Sequence, residues 1–149
     1  MKATRTWILI ADGSRARILE QRGPETKVRP VEGEKYETES KPSRELGSDR
    51  PGRVVESVGH QHHAVEPKYD LHRGLETMFA NQLADILSHR LREGLYDRLI
   101  MIAPPAMLGD LRKSIPRPVQ EVVVAELAKD LTKIPNDELM GHLGDMLRL

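Results

Sequence analysis

The spacing of apolar positions changes along this chain, and the change separates a strand-like first part from a helix-bearing second part. Thr6 to Ala11 is almost continuously apolar, which suits a buried strand. Asp12-Gly13-Ser14 is a turn signal. Apolar residues resume at Ala16, Ile18 and Leu19 and stop at Gly23-Pro24, so a second strand over 16–20 should fold back antiparallel on the first. Val28, Val31 and Tyr36 anchor a third, weaker strand. After Asp70 the period lengthens. Leu71, Leu75, Met78, Phe79, Leu83, Ile86, Leu87 and Leu91 recur at three- and four-residue steps. That is the stripe of an amphipathic helix with Asp70 as its N-cap and Gly94 as its left-handed terminator. Leu99 to Ala103 is a second continuous apolar run, suited to a central parallel strand and closed by Pro104-Pro105. Met107, Leu108, Leu111 and Ile115 mark a further helix, which Pro116 and Pro118 should stop. Val122 to Ala125 opens a last strand reaching Leu127 or Leu131. Pro135-Asn136 opens a last helix, with Leu139, His142, Leu143, Met146 and Leu147 on one face.

Three strands followed by alternating helix and strand predict an α/β protein: a mixed five-stranded sheet with helices on both faces. Right-handed crossovers should place the last two strands beside the first. That is the layout of ribonuclease H-like folds and of the middle domain of archaeal and eukaryotic class 1 release factors. Residues 37–68 break the pattern. They are rich in Glu, Ser, Arg, Gly, Pro and His, with Val54-Val55 the one candidate for a brief strand. A polar segment this long within one domain is usually functional or disordered.

Composition narrows the classes. A chain of 149 residues fits a single domain over 1–149, with enough length to bury a core. Lys+Arg and Asp+Glu are both 23, so the formal charge of zero argues against a generally basic nucleic-acid binder but leaves room for a local basic face. Aromatics are 3%, which disfavours a base-stacking platform. Cysteine is absent, which removes disulfides, thiolate metal sites and a cysteine nucleophile and fits a reducing compartment. The run Trp7 to Ala11 is too short for a signal sequence or a membrane span. No Gly-rich phosphate loop, nucleophile elbow or HExxH sequence is present. The expectation is a cytoplasmic protein with no membrane insertion and no cofactor.

Candidate chemistry concentrates in the polar segment. Arg44, Arg50, Arg53, Lys68 and Arg73 would form a phosphate-binding rim, because the guanidinium fork matches phosphate oxygens. The plainer reading pairs them with Glu45, Asp49, Glu56 and Glu66. His60, His62, His63 and His72 are weak candidates for metal ligands, since their spacing matches no zinc motif. His72 falls near the start of the predicted helix, where cations are disfavoured, so hydrogen bonding suits it better than ligation. Asp12, Asp49 and Asp130 could converge as a carboxylate cluster for two-metal nuclease chemistry. The plainer reading makes Asp12 a turn residue before Gly13 and Asp130 a brace for the turn at Thr132.

Several segments carry a family likeness. Ala11-Asp12-Gly13-Ser14-Arg15-Ala16-Arg17-Ile18, Ser48-Asp49-Arg50-Pro51-Gly52-Arg53, Ala103-Pro104-Pro105 with Leu108-Gly109-Asp110-Leu111-Arg112, and Lys129-Asp130-Leu131-Thr132 stand in order along the chain. Together they resemble the bacterial host attachment protein family, which is grouped with bacterial relatives of the class 1 release factors. The resemblance implies the release-factor middle-domain fold. In release factors a GGQ loop precedes a long helix; here Gly59-His60-Gln61 holds that place, with histidine in the middle. Histidine reaches glycine's backbone angles only with strain, so peptide release is not expected. The functional expectation is a binding module that engages ribosomes or RNA through residues 44–67, using Gly59, His60, Gln61, His62 and His63 with the cationic rim. The alternative is a hydrolase acting on a peptidyl-tRNA ester or on nucleic acid.

Overall fold

The structure, a computed structural model, describes residues 3–23, 27–38 and 65–144, and side chains from residue 71 onward in the first helix. Five strands form one sheet: β1 (Arg5–Ala11), β2 (Arg15–Arg22), β3 (Arg29–Glu37), β4 (Arg98–Ile102) and β5 (Val123–Leu127). Their spatial order is β3-β2-β1-β4-β5. β2 is antiparallel to both neighbours, whereas β4 lies parallel to β1 and to β5. The helices are α1 (Val65–Arg92), α2 (Pro105–Ser114), α3 (Arg117–Val122) and α4 (Met140–Leu143), with a 3-10 turn at Asn136–Glu138. The expected mixed sheet is therefore present; of the last two strands, β4 sits beside β1 and β5 lies one place further out, beside β4. Among the described residues no helix is long and apolar enough to cross a membrane.

Strand alternation distributes side chains to two cores. Trp7, Leu9 and Ala11 meet Phe79, Leu83 and Leu87 of α1, together with Leu108 and Leu111 of α2 and Val119 of α3. Ile8, Ile10, Leu19, Ile100 and Ile102 lie beneath Leu131, Leu139 and Leu143 on the other face. Burial on both faces is why β1 and β4 read as unbroken apolar runs. At the carboxyl end of α1, Tyr96 stacks on Trp7 with ring centroids 4.8 Å apart. Its hydroxyl donates to the Leu87 carbonyl at 2.8 Å. Gly94 takes the left-handed conformation expected of a helix terminator, with φ 75°.

Some boundaries differ from the sequence pattern. α1 begins at Val65, so Asp70 lies inside the helix rather than capping it. Pro67 then falls in the first turn, where no backbone N–H is needed. Pro116 and Pro118 do more than stop α2: Pro116 is the N-cap residue of α3 and Pro118 lies in its first turn. The last helix begins at Met140, after the 3-10 turn, rather than at Pro135-Asn136, and Met146 and Leu147 of its pattern lie outside the described residues. Leu139 and Leu143 are buried while His142 is exposed. Leu71 and Met78 are also exposed, so the stripe on α1 is wider than the surface it covers. Val54 and Val55, and with them the candidate brief strand, lie outside the described residues.

β3 is an edge strand that does not invite further pairing. Pro30 lacks a donor, Gly33 sits at φ 83°, and the register with β2 shifts between Arg17 and Leu19. Glu34 points inward and is 6% exposed. Arg90 of α1 donates to it at 2.7 Å and the Tyr36 hydroxyl donates to it as well. This pairing ties the edge strand to the helix.

Candidate functional site

Ligands in open α/β sheets collect at the carboxyl ends of the parallel strands. In this fold that end carries the Asp12–Arg15 turn after β1, Pro104 before α2, and the connection after β5. Asp12 Oδ1 accepts the backbone N–H groups of Ser14 and Arg15, both at 2.8 Å. Its other oxygen lies 3.2 Å from the Thr132 hydroxyl and 3.5 Å from Arg15 Nε. The same hydroxyl is 2.5 Å from Asp130 Oδ1, which also accepts the Thr132 N–H at 3.0 Å. Thr132 thus joins the first and last strand ends with a single hydroxyl proton between two carboxylates.

Gly13 presses this turn against α1. A Cβ there would lie 2.5 Å from Glu76 Oε2. Glu76 accepts from Arg73 Nη1 at 2.9 Å and stands 3.4 Å from His72 Nε2. Arg73 also reaches Asp110 of α2 at 3.0 Å, and these two acidic partners hold its guanidinium more firmly charged than usual, Glu76 contributing most. His72 Nδ1 is buried without a hydrogen-bond partner among the described residues.

Beside this corner a cleft of about 660 Å³ opens between β2–β3 and the segment Thr132–Asn136. Arg17 crosses its floor. Nη1 donates to the Thr132 carbonyl at 2.8 Å, Nη2 to the Ile134 carbonyl at 2.5 Å, and Nε to Asn136 Oδ1 at 2.9 Å. None of these acceptors is charged, and burial lowers the guanidinium's affinity for its proton. Arg15, Lys35 and Lys133 also line the cleft, with Glu37 the one carboxylate among the lining residues.

Of the residues singled out in the sequence, Arg44, Arg50, Arg53, Gly59, His60, Gln61, His62, His63 and Asp49 lie outside the described residues, as does the Lys68 side chain. Arg73 is described, and its partners among the described residues are Glu76 and Asp110; the side chains of Glu45, Asp49, Glu56 and Glu66 lie outside them. Asp12 and Asp130 are brought together, but their oxygens are engaged by turn N–H groups and Thr132. Among the described residues no three His, Cys, Asp or Glu side chains could hold a metal ion. Arg17 lies within the first family-like segment, but neither it nor Lys35 or Lys133 was singled out as a candidate site residue. The alternation Arg15, Arg17 along β2 was the one local signal that two cations share a face.

The comparisons with known proteins agree with the ordered motifs. No curated protein matches the chain. A family model described as "Protein required for attachment to host cells" matches residues 7–143, which takes in every strand core and both packed faces. With the match running through nearly all of its length, the chain belongs to the family of proteins required for attachment to host cells.

Proposed function

We propose that this chain is a binding module that engages RNA, with the ribosome as its target, through residues 44–67. The observation that supports it most is the placement of α1. From Glu76, which touches the β1–β2 turn, back to Val65 is about 16 Å of helix at 1.5 Å per residue. Leu71 within that stretch is 49% exposed, so the helix start runs beyond the sheet. On the other side the chain leaves β3 at Thr38, whose N–H donates to Ser14 at 2.8 Å. The β3 flank of the polar segment therefore meets the same turn that Glu76 of α1 touches. The release-factor likeness supports the same reading, because there a GGQ loop precedes a long helix and here Gly59-His60-Gln61 precedes α1 in the sequence. Attachment to host cells, in the family's description, names an outcome that a binding module can serve without chemistry of its own.

Co-sedimentation with ribosomes tests this reading. The parent protein should pellet with ribosomes at low salt. Replacing both Arg50 and Arg53 by Gln should weaken binding, leave the melting midpoint unchanged, and make the salt dependence shallower, because fewer counterions are released. Absence of co-sedimentation by the parent at low salt overturns the proposal. The same stalled ribosomes, carrying labelled peptide, address the enzyme reading. No release is expected, because His60 stands where the release loop needs a glycine. Robust release by the parent would make the protein a hydrolase.

A further inference from the structure

We propose that the cleft between β2–β3 and Thr132–Asn136 is a binding site for a phosphate-bearing organic molecule of nucleotide size. The argument begins with Arg17. A partly buried guanidinium normally faces a carboxylate. This one is held by two backbone carbonyls and an amide oxygen, all neutral, and no carboxylate among the described residues pairs with it. A guanidinium has five N–H donors. These three bonds use one N–H on each nitrogen and leave two, one on each terminal nitrogen. Lys35 and Lys133 line the same cleft, are exposed, and make no ion pair with the described residues. The chain as a whole is neutral, whereas among the described residues this cleft is lined by Arg15, Arg17, Lys35 and Lys133 against one carboxylate, Glu37, a local excess that its composition does not predict.

The size and the walls argue for more than a bare anion. A volume of about 660 Å³ lies within the range of small-molecule sites and far exceeds what inorganic phosphate fills. Ile134 and Pro135, half-buried and exposed, give the cleft an apolar wall. An apolar surface beside a cationic edge suits a ligand with a flat organic body and a phosphate. This site uses none of residues 44–67 and stands apart from the ribosome reading.

The test is calorimetric titration of the full chain with AMP, UMP, adenosine, inorganic phosphate and a short oligouridylate. A nucleoside monophosphate, or the oligouridylate if the phosphate comes from an RNA backbone, should bind saturably. Adenosine should bind at least about tenfold more weakly than AMP, the loss expected when charge-assisted hydrogen bonds to phosphate are removed. Lys35→Gln combined with Lys133→Gln should weaken the bound probe by about tenfold or more with an unchanged melting midpoint. Arg50→Gln with Arg53→Gln should leave it unaltered, which separates this site from the segment tested on ribosomes. Three results would each overturn the proposal: no saturable binding of any phosphate-bearing probe at millimolar concentration, equal binding of adenosine and AMP, or a lysine double variant that binds like the parent.

Discussion

Gly13 shows how one residue can bind two elements together. Its φ is not positive, so glycine is needed there for space and not for backbone freedom. Gly13→Ala would drive a methyl group into Glu76, whose carboxyl carbon and Cγ both lie 2.8 Å from the new atom. Glu76 would have to leave its contacts with Arg73 and His72. The substitution should cost about 1–3 kcal/mol, the usual range for overpacking. In a Glu76→Ala background most of that cost should vanish, since the clash partner is gone. Equal costs in both backgrounds, measured by denaturant unfolding, would mean that the turn does not rest on Glu76. At this scale Asp12 was readable as a turn residue, because Asp followed by Gly is a local signal. Its link to Thr132 was not, since 120 positions separate them. Arg17 is a similar case: its acceptors at Thr132, Ile134 and Asn136 are more than a hundred residues away.

At the scale of elements, periodicity located α1 but misplaced its start. Asp70 is a strong cap residue, and nothing apolar before it extends the stripe. Yet a helix can run on past its last packed residue, and Pro67 does not prevent this from the first turn. Met78 is exposed directly beside buried Phe79 and Ala80, so its exposure reflects the helix face it occupies and not its place along the helix. The packed half is where stability resides. Phe79 is 3% exposed between β1 and α2, so Phe79→Ala should cost about 3–5 kcal/mol in a denaturant or thermal unfolding experiment. A loss below about 1 kcal/mol would be too small for a buried aromatic and would contradict the packing of α1 on the sheet.

Across the whole molecule, the edge strand β3 is fastened to α1 by Tyr36, Glu34 and Arg90. Burial first, and then the Glu34 carboxylate, push the Tyr36 phenol up to about 12. The folded form therefore holds the proton more tightly than the unfolded chain, whose phenol titrates near its ordinary value of about 10. The resulting stabilisation is fully present below pH of about 10 and is lost as pH rises through about 12. Tyr96, buried under α1, is shifted in the same direction by burial. Stability measured across that alkaline window should fall, and should fall less steeply in Tyr36→Phe. Phenolate absorbance should grow mainly above pH of about 10 while the protein stays folded. Identical alkaline profiles for parent and variant would show that Tyr36 is not held against Glu34 and Arg90.

The sequence by itself determined the element types, the mixed sheet, and the strands buried on both faces. These follow from local periodicity and from turn residues such as Asp12-Gly13 and Gly94, whose effects act within a few residues. The parallel placement of β4 beside β1 followed as well, because crossovers have one favoured hand. Tertiary structure alone decided which charges are paired and which are left over. Arg73 found Glu76 and Asp110, whereas Arg17 found only neutral oxygens, and no spacing distinguishes the two arginines. A charge's surroundings are set by chain segments that meet only once the sheet has formed. The cleft with its excess of cations among the described residues is thus a property of the fold, assembled from β2, β3 and the connection after β5.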